Sequence, residues 1–132
     1  MDTSTIDTRV NNSKALRLAL LEVHHALIEH ERRRYEKDNG RQSAADFLQV
    51  LTQHAGFRWL DVLSGLILAF DQALDAEDAA TQLPPLVARS RALLRREPDA
   101  AEPFSLRYTP ILDISPDVAL AHMKAIAALR HV

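Results

Sequence analysis

The stretch Phe57-Arg58-Trp59-Leu60-Asp61-Val62-Leu63-Ser64-Gly65-Leu66-Ile67-Leu68-Ala69-Phe70-Asp71-Gln72-Ala73-Leu74 decides the fold. At about 100° per residue, its Trp, Leu, Val, Ile, Phe and Ala side chains cover roughly half the circumference of a helix. Arg58, Asp61, Ser64, Gly65, Asp71, Gln72 and Asp75 fill a narrower polar strip, interrupted only by Leu68. A surface helix buries a stripe a little over 100° wide. An arc this broad must touch at least two other elements, so the spacing predicts a central helix over 57–74 in an all-α protein.

Composition sets the outer bounds. The chain has 132 residues, 47% hydrophobic and 26% charged, which is ample for one soluble domain with its own core. A net charge of -2 gives no general attraction to nucleic acid or to an anionic membrane. The absence of cysteine excludes disulfides, thiolate nucleophiles and cysteine-held metal sites. Residues 1–12 carry no apolar signal core, and no apolar run approaches the roughly 20 residues of a membrane span. The expected compartment is a reducing bacterial-type cytoplasm.

Outward from the central helix, start and stop signals divide the rest. Residues 1–12, rich in Thr, Ser, Asn and Asp, are expected as a flexible tail, and 13–132 as a single helical domain. A first helix is expected from Lys14 to about Lys37, with Leu16, Leu20, Leu21, Val23, Leu27 and Ile28 as its apolar face, stopped at Asp38-Asn39-Gly40. Ser43, with Asp46 three residues on, caps a second helix whose expected buried face is Phe47, Leu48, Val50 and Leu51. Leu83-Pro84-Pro85 is expected to open a fourth helix, because proline is tolerated in a first turn. Pro98, Pro103 and Pro110 argue for a packed irregular connector over 98–115, anchored by Phe104, Leu106, Tyr108, Ile111 and Leu112. Ser115-Pro116-Asp117 starts an alanine-rich last helix. The sum is a four- to five-helix up-and-down bundle.

One feature of the first helix carries chemistry. Arg17, His24, Glu31 and Tyr35 fall on one line inside its apolar arc, and His122 sits similarly in the last helix. Buried polar groups need partners, since an unpaired one costs about 1–3 kcal/mol. These five residues are therefore the candidate polar core or pocket. The structural reading is a network of hydrogen bonds, and the functional reading is a ligand or metal site using His24, Glu31 and His122. A three-histidine metal centre from His24, His54 and His122 is the specific metal alternative. Glu22-x-x-His25 occurs once, whereas di-iron bundles need that motif on two helices. No catalytic constellation, phosphate loop or cofactor signature is present. The Arg32-Arg33-Arg34 run and the Arg89–Arg96 cluster read as solvated faces, not as a nucleic-acid footprint.

Three blocks also resemble a family of small bacterial helical proteins with no assigned activity. Val23-His24 through Tyr35-Glu36, then Gly40, resembles that family's Leu-His-x-x-Leu-Leu … Glu-Arg-x-x-Tyr-Glu … Gly opening. Phe57-x-Trp59-Leu60-x-x-Leu63-Ser64 resembles its second block, and Ser115-Pro116-Asp117-Val118 through His122 its closing helix. The resemblance implies a one-domain helical fold and places His24, Glu31, Arg32, Tyr35, Glu36, Trp59 and His122 at motif positions. Thr109-Pro110 departs from its continuous helical segment. Two readings of function follow. The first is a non-enzymatic interaction or regulatory module, homodimeric through an apolar helix face or bound to a protein partner, with no cofactor, nucleic acid or membrane. The second is a small-ligand or metal-binding bundle.

Overall fold

The computed structural model describes residues 3–96 and 102–132, with side chains from residue 7 onward, and these residues form an all-α protein. The six α-helices are α1 (Thr3–Asn39), α2 (Ala44–Gln53), α3 (Asp61–Asp75), α4 (Ala79–Leu94), α5 (Pro103–Ile114) and α6 (Pro116–Leu129). A 3₁₀ helix, Ala55–Leu60, leads into α3. The expected central stretch is a 3₁₀ turn plus α3, but α1, which meets α6, α3 and α4, has more helical neighbours than α3, and the described residues form six helices instead of the expected four to five.

α3 buries Leu63, Leu66, Ile67, Phe70 and Ala73, while Leu68 stands 56% exposed on the polar strip. Its neighbours are α1 on one side and α4 on the other. α1 packs most extensively against α6 and next against α3, through Leu16, Leu20, Val23 and Leu27. Several local signals act as their chemistry dictates. Gly40 takes φ 80°, a left-handed conformation that ends α1 at little cost to glycine. The Ser43 hydroxyl accepts from the Asp46 N–H, and the Ser115 hydroxyl from the Val118 N–H, capping α2 and α6.

Four expectations are corrected. The tail expected over 1–12 is helical from Thr3 (residues 1 and 2 lie outside the described residues). With no glycine or proline before Gly40, each added residue continues a helix already nucleated downstream. Tertiary contacts hold this part too: Val10 packs on the core, and Asn12 Nδ2 donates to His131 O at 2.8 Å. α4 begins at Ala79, so Pro84 and Pro85 lie inside it. They deprive the Ala80 and Thr81 carbonyls of helical partners, but both residues are exposed and water can serve.

The connector expected over 98–115 is mostly the helix α5; residues 98–101 lie outside the described residues. Pro103 is its N1 residue, and Pro110 costs only the carbonyl of exposed Leu106. That phase turns Leu106 outward, 58% exposed, and sends Phe104, Tyr108, Ile111 and Leu112 inward. Finally, Leu48, expected on the buried face of the second helix, is 61% exposed, while Phe47 is buried. α1 continues to Asn39, and Glu31 is 1% exposed.

Candidate functional site

The polar line of α1 proves to be two rungs and a buried acid. Arg17 Nε stands 2.8 Å from Asp71 Oδ1, and Nη2 donates to Oδ2 at 3.4 Å. The Nε contact is a charge contact without hydrogen-bond alignment. One heptad further along α1, His24 Nε2 pairs with the Ser64 hydroxyl at 2.8 Å. The two partners on α3 are themselves seven residues apart and run in the opposite direction. Arg17/Asp71 and His24/Ser64 therefore fix α1 and α3 as antiparallel neighbours in one register, with leucine layers between. A register slip would break both pairs together, although water reaches these half-exposed groups and Ser64 also donates to Leu60 O at 3.3 Å.

Glu31 Oε2 accepts from Arg34 Nη2 at 2.7 Å, a contact whose carboxylate end is covered and whose guanidinium end is half open. Tyr35 leaves the line altogether and joins Phe47, His54 and Phe57 in an aromatic cluster, with ring centroids 5.4–6.3 Å apart. His54 also caps the 3₁₀ helix, its Nδ1 accepting from the Gly56 N–H at 3.0 Å.

His122 sits at the end of a second aromatic row, Trp59–Phe104–Tyr108–His122, with centroid spacings of 5.5, 5.0 and 5.5 Å. Its Nδ1 lies 2.7 Å from the Tyr108 hydroxyl. Burial raises the Tyr108 pKa and keeps it a phenol. Burial, reinforced by the Arg96 charge, lowers the His122 pKa and keeps the imidazole neutral. A phenol donating to a neutral ring nitrogen satisfies both groups.

The candidate residues are thus not brought together. His24, His54 and His122 each have a separate partner. Among the described residues no three His, Asp or Glu side chains are grouped to hold a metal. The arginines of the first run are engaged as well: Arg32 with Gln42 O and Glu36, Arg33 with Asp117, Arg34 with Glu31. Sequence reasoning missed Asp71, Ser64 and Tyr108 as the partners, although the heptad spacing of Asp71 and Ser64 matches that of Arg17 and His24.

His24 yields a direct test. Its pKa is lowered, first by burial and second by the neighbouring His25 charge. With the folded pKa below the unfolded value near ~6.5, stability from this group is full above that value. It declines as pH falls toward the folded pKa, because the unfolded chain takes up the proton first. His24→Ala should cost about 1 kcal/mol at pH 8, and His24→Gln less. The gap to wild type should narrow at pH 5.5, read by urea unfolding. A gap that widens in acid would mean that the fold stabilises the imidazolium instead.

The remaining unusual surface is the outer face of α6. Pro116, Leu120, Met123 and Ala127 are all exposed, Leu120 by 56% and Met123 by 67%, with spacings of four, three and four. Ile114, two residues before the stripe, is 70% exposed. Single exposed leucines, such as Leu48, are ordinary, whereas a sustained stripe at a/d spacing is what a partner helix covers. Asp117 and Lys124 flank the stripe on one side, seven residues apart and largely exposed. Their reach to Arg33 and Glu22 of α1 is long, 3.9 and 3.8 Å. On the other flank are the apolar Ala119 and Ile126.

Among the described residues no helix is long and apolar enough to cross a membrane. No family model, curated relative or solved structure matches the chain.

Proposed function

We propose that this protein is a non-enzymatic interaction module, an up-and-down helical bundle that pairs with a second copy of itself through the outer face of α6. The observation that carries this is the exposed Pro116/Leu120/Met123/Ala127 stripe, together with the charges beside it. In an antiparallel pair Leu120 lies over Met123 of the second copy. The same two-fold axis brings Asp117 beside Lys124 of that copy, and Lys124 beside its Asp117. Opposite charges thus meet twice, which a parallel pair would not arrange. Ala119 and Ala127 allow close approach of the two backbones. The absence of nucleic-acid binding is part of the reading, because the arginine runs are largely spent on intramolecular partners. The three motif blocks, which include Ser115 to His122, support kinship with the small helical family they resemble.

A 14-residue helix is about 21 Å long, short for a protein interface. The affinity should be modest, with dimer growing across about 10–200 µM. Light scattering on a dilution series tests this. Wild type should pass from monomer to dimer, and Leu120→Glu should remain monomeric with an unchanged unfolding midpoint, since residue 120 is exposed. A wild-type chain that stays monomeric throughout that range overturns the proposal.

A further inference from the structure

A pocket of about 350 Å³ opens where the first turns of α1 meet α4 and the end of α6. It is of the size that small-molecule sites occupy. Its walls are mainly aliphatic, from Val10, Leu83, Pro84, Val87 and Val132, and three polar side chains, Arg9, Ser13 and Arg91, interrupt them. They are not equivalent. Arg91 is committed to the end of α6, its Nη2 donating to Leu129 O at 2.8 Å and to Val132 O at 3.1 Å. It builds the wall and holds the C-terminal segment in place. Arg9 is exposed and has no ion-pair partner among the described residues, so its charge is available at the rim.

Ser13 is the decisive residue. Its side chain is one of the few buried polar ones, 3% exposed, and it faces the pocket. No hydrogen bond joins its hydroxyl to a described residue, whereas that of Ser90 bonds back to Leu86 O at 2.8 Å; the Ser13 hydroxyl is not one of the fully enclosed unpaired atoms and is open to the pocket. A hydroxyl open to the pocket can donate to a ligand there in place of water. Here an aliphatic chamber, a cation at its rim and an unpartnered donor in its wall converge on one kind of ligand.

We infer that this pocket binds a small organic carboxylate with an aliphatic body, the chain against Leu83 and Val87 and the carboxylate held by the Arg9 guanidinium and the Ser13 hydroxyl. Charge-assisted hydrogen bonds to a carboxylate are the strong kind, and the exposed Arg9 would make one at the rim while the aliphatic body lies deeper. A neutral alcohol of equal length would keep the apolar contact and lose the ionic one. A cationic amine would meet Arg9 unfavourably. Neither the α6 stripe nor pairing through it enters this inference.

The experiment is a calorimetric titration of the full chain with sodium octanoate, and separately with octanol and octylamine. Octanoate should saturate one site per chain below about 5 mM and bind at least about tenfold more tightly than octanol. Octylamine should give no saturation. Arg9→Ala should weaken octanoate about tenfold and leave octanol unchanged. Ala88→Trp, at an exposed position on the pocket lining, should block both. Unfolding midpoints without ligand confirm that the variants fold, and Leu120→Glu should bind octanoate as wild type does, which separates this result from the pairing. Octanol binding as tightly as octanoate, indifference to Arg9→Ala, or no saturable octanoate binding in that range would each overturn the inference.

Discussion

Phe70→Ala is expected to be the most damaging single substitution in the chain, costing about 3–5 kcal/mol. Phe70 is fully buried, at the middle of α3 between the α1 and α4 sides of the core. Truncation forfeits the transfer energy of the ring and leaves a cavity that rigid helices on both sides cannot close. Against a typical total stability of about 5–15 kcal/mol, the loss takes a third or more of what the fold has. Leu68→Ala, two residues away on the exposed strip, is the matched control and should stay within about 0.5 kcal/mol. Urea unfolding of both variants at pH 8 reads the difference. A Phe70→Ala cost near that of Leu68→Ala would show that the inner face of α3 is not packed in the core.

The second large effect is an asymmetry at Glu31. Removing Arg34 leaves a covered carboxylate without its partner, and breaking a buried pair from one side costs about 3–5 kcal/mol. Because the guanidinium end is half open to water, Arg34→Ala should lose somewhat less, about 2–3 kcal/mol. Glu31→Leu removes the charge itself and substitutes a side chain of similar volume, so it should be near neutral or slightly stabilising. The double variant should resemble Glu31→Leu alone, because the harm of losing Arg34 is the orphaned acid. If Arg34→Ala and Glu31→Leu cost the same, the pair is held for its contact alone and burial of Glu31 adds no penalty.

Much of the fold was legible in the sequence because strong local signals and periodicity agreed. The broad arc of 57–74 announced a helix with two neighbours, and Ser43, Gly40 and Ser115 act as their side chains predict. The misreadings share a cause. Proline and small polar residues were weighed by intrinsic preference, and tertiary contact overrode it. Thr3 to Asn12 is helical where the chain touches the end of α6, and Pro84, Pro85 and Pro110 sit in helices on faces where water replaces the lost bonds.

The candidate site was half legible. That Arg17 and His24 need partners follows from their phase on α1, but who supplies them depends on the antiparallel register with α3, a long-range property. Tyr35 has the same phase as Arg17, yet there α1 runs past the end of α3 and meets α2 and the 3₁₀ helix instead. His122 finds its partner in Tyr108, within a segment expected to be irregular. The α6 stripe was visible only as alanine content, because phase alone does not say which side of a helix the rest of the chain will cover.

The most direct measurement uses the absence of cysteine from the chain. Leu120→Cys and Met123→Cys chains, prepared separately and mixed under mild oxidation, report which positions meet, since a disulfide forms only when the Cα atoms come within about 7 Å. An antiparallel α6 pair predicts that the mixed 120–123 disulfide dominates over both homodimeric products, and that one chain carrying both cysteines gives a doubly bridged dimer. Homodimeric 120–120 and 123–123 products in excess would show a parallel pair. Crosslinking no greater than that of an Ala45→Cys control, a residue exposed on α2, would show that the α6 face meets no second copy.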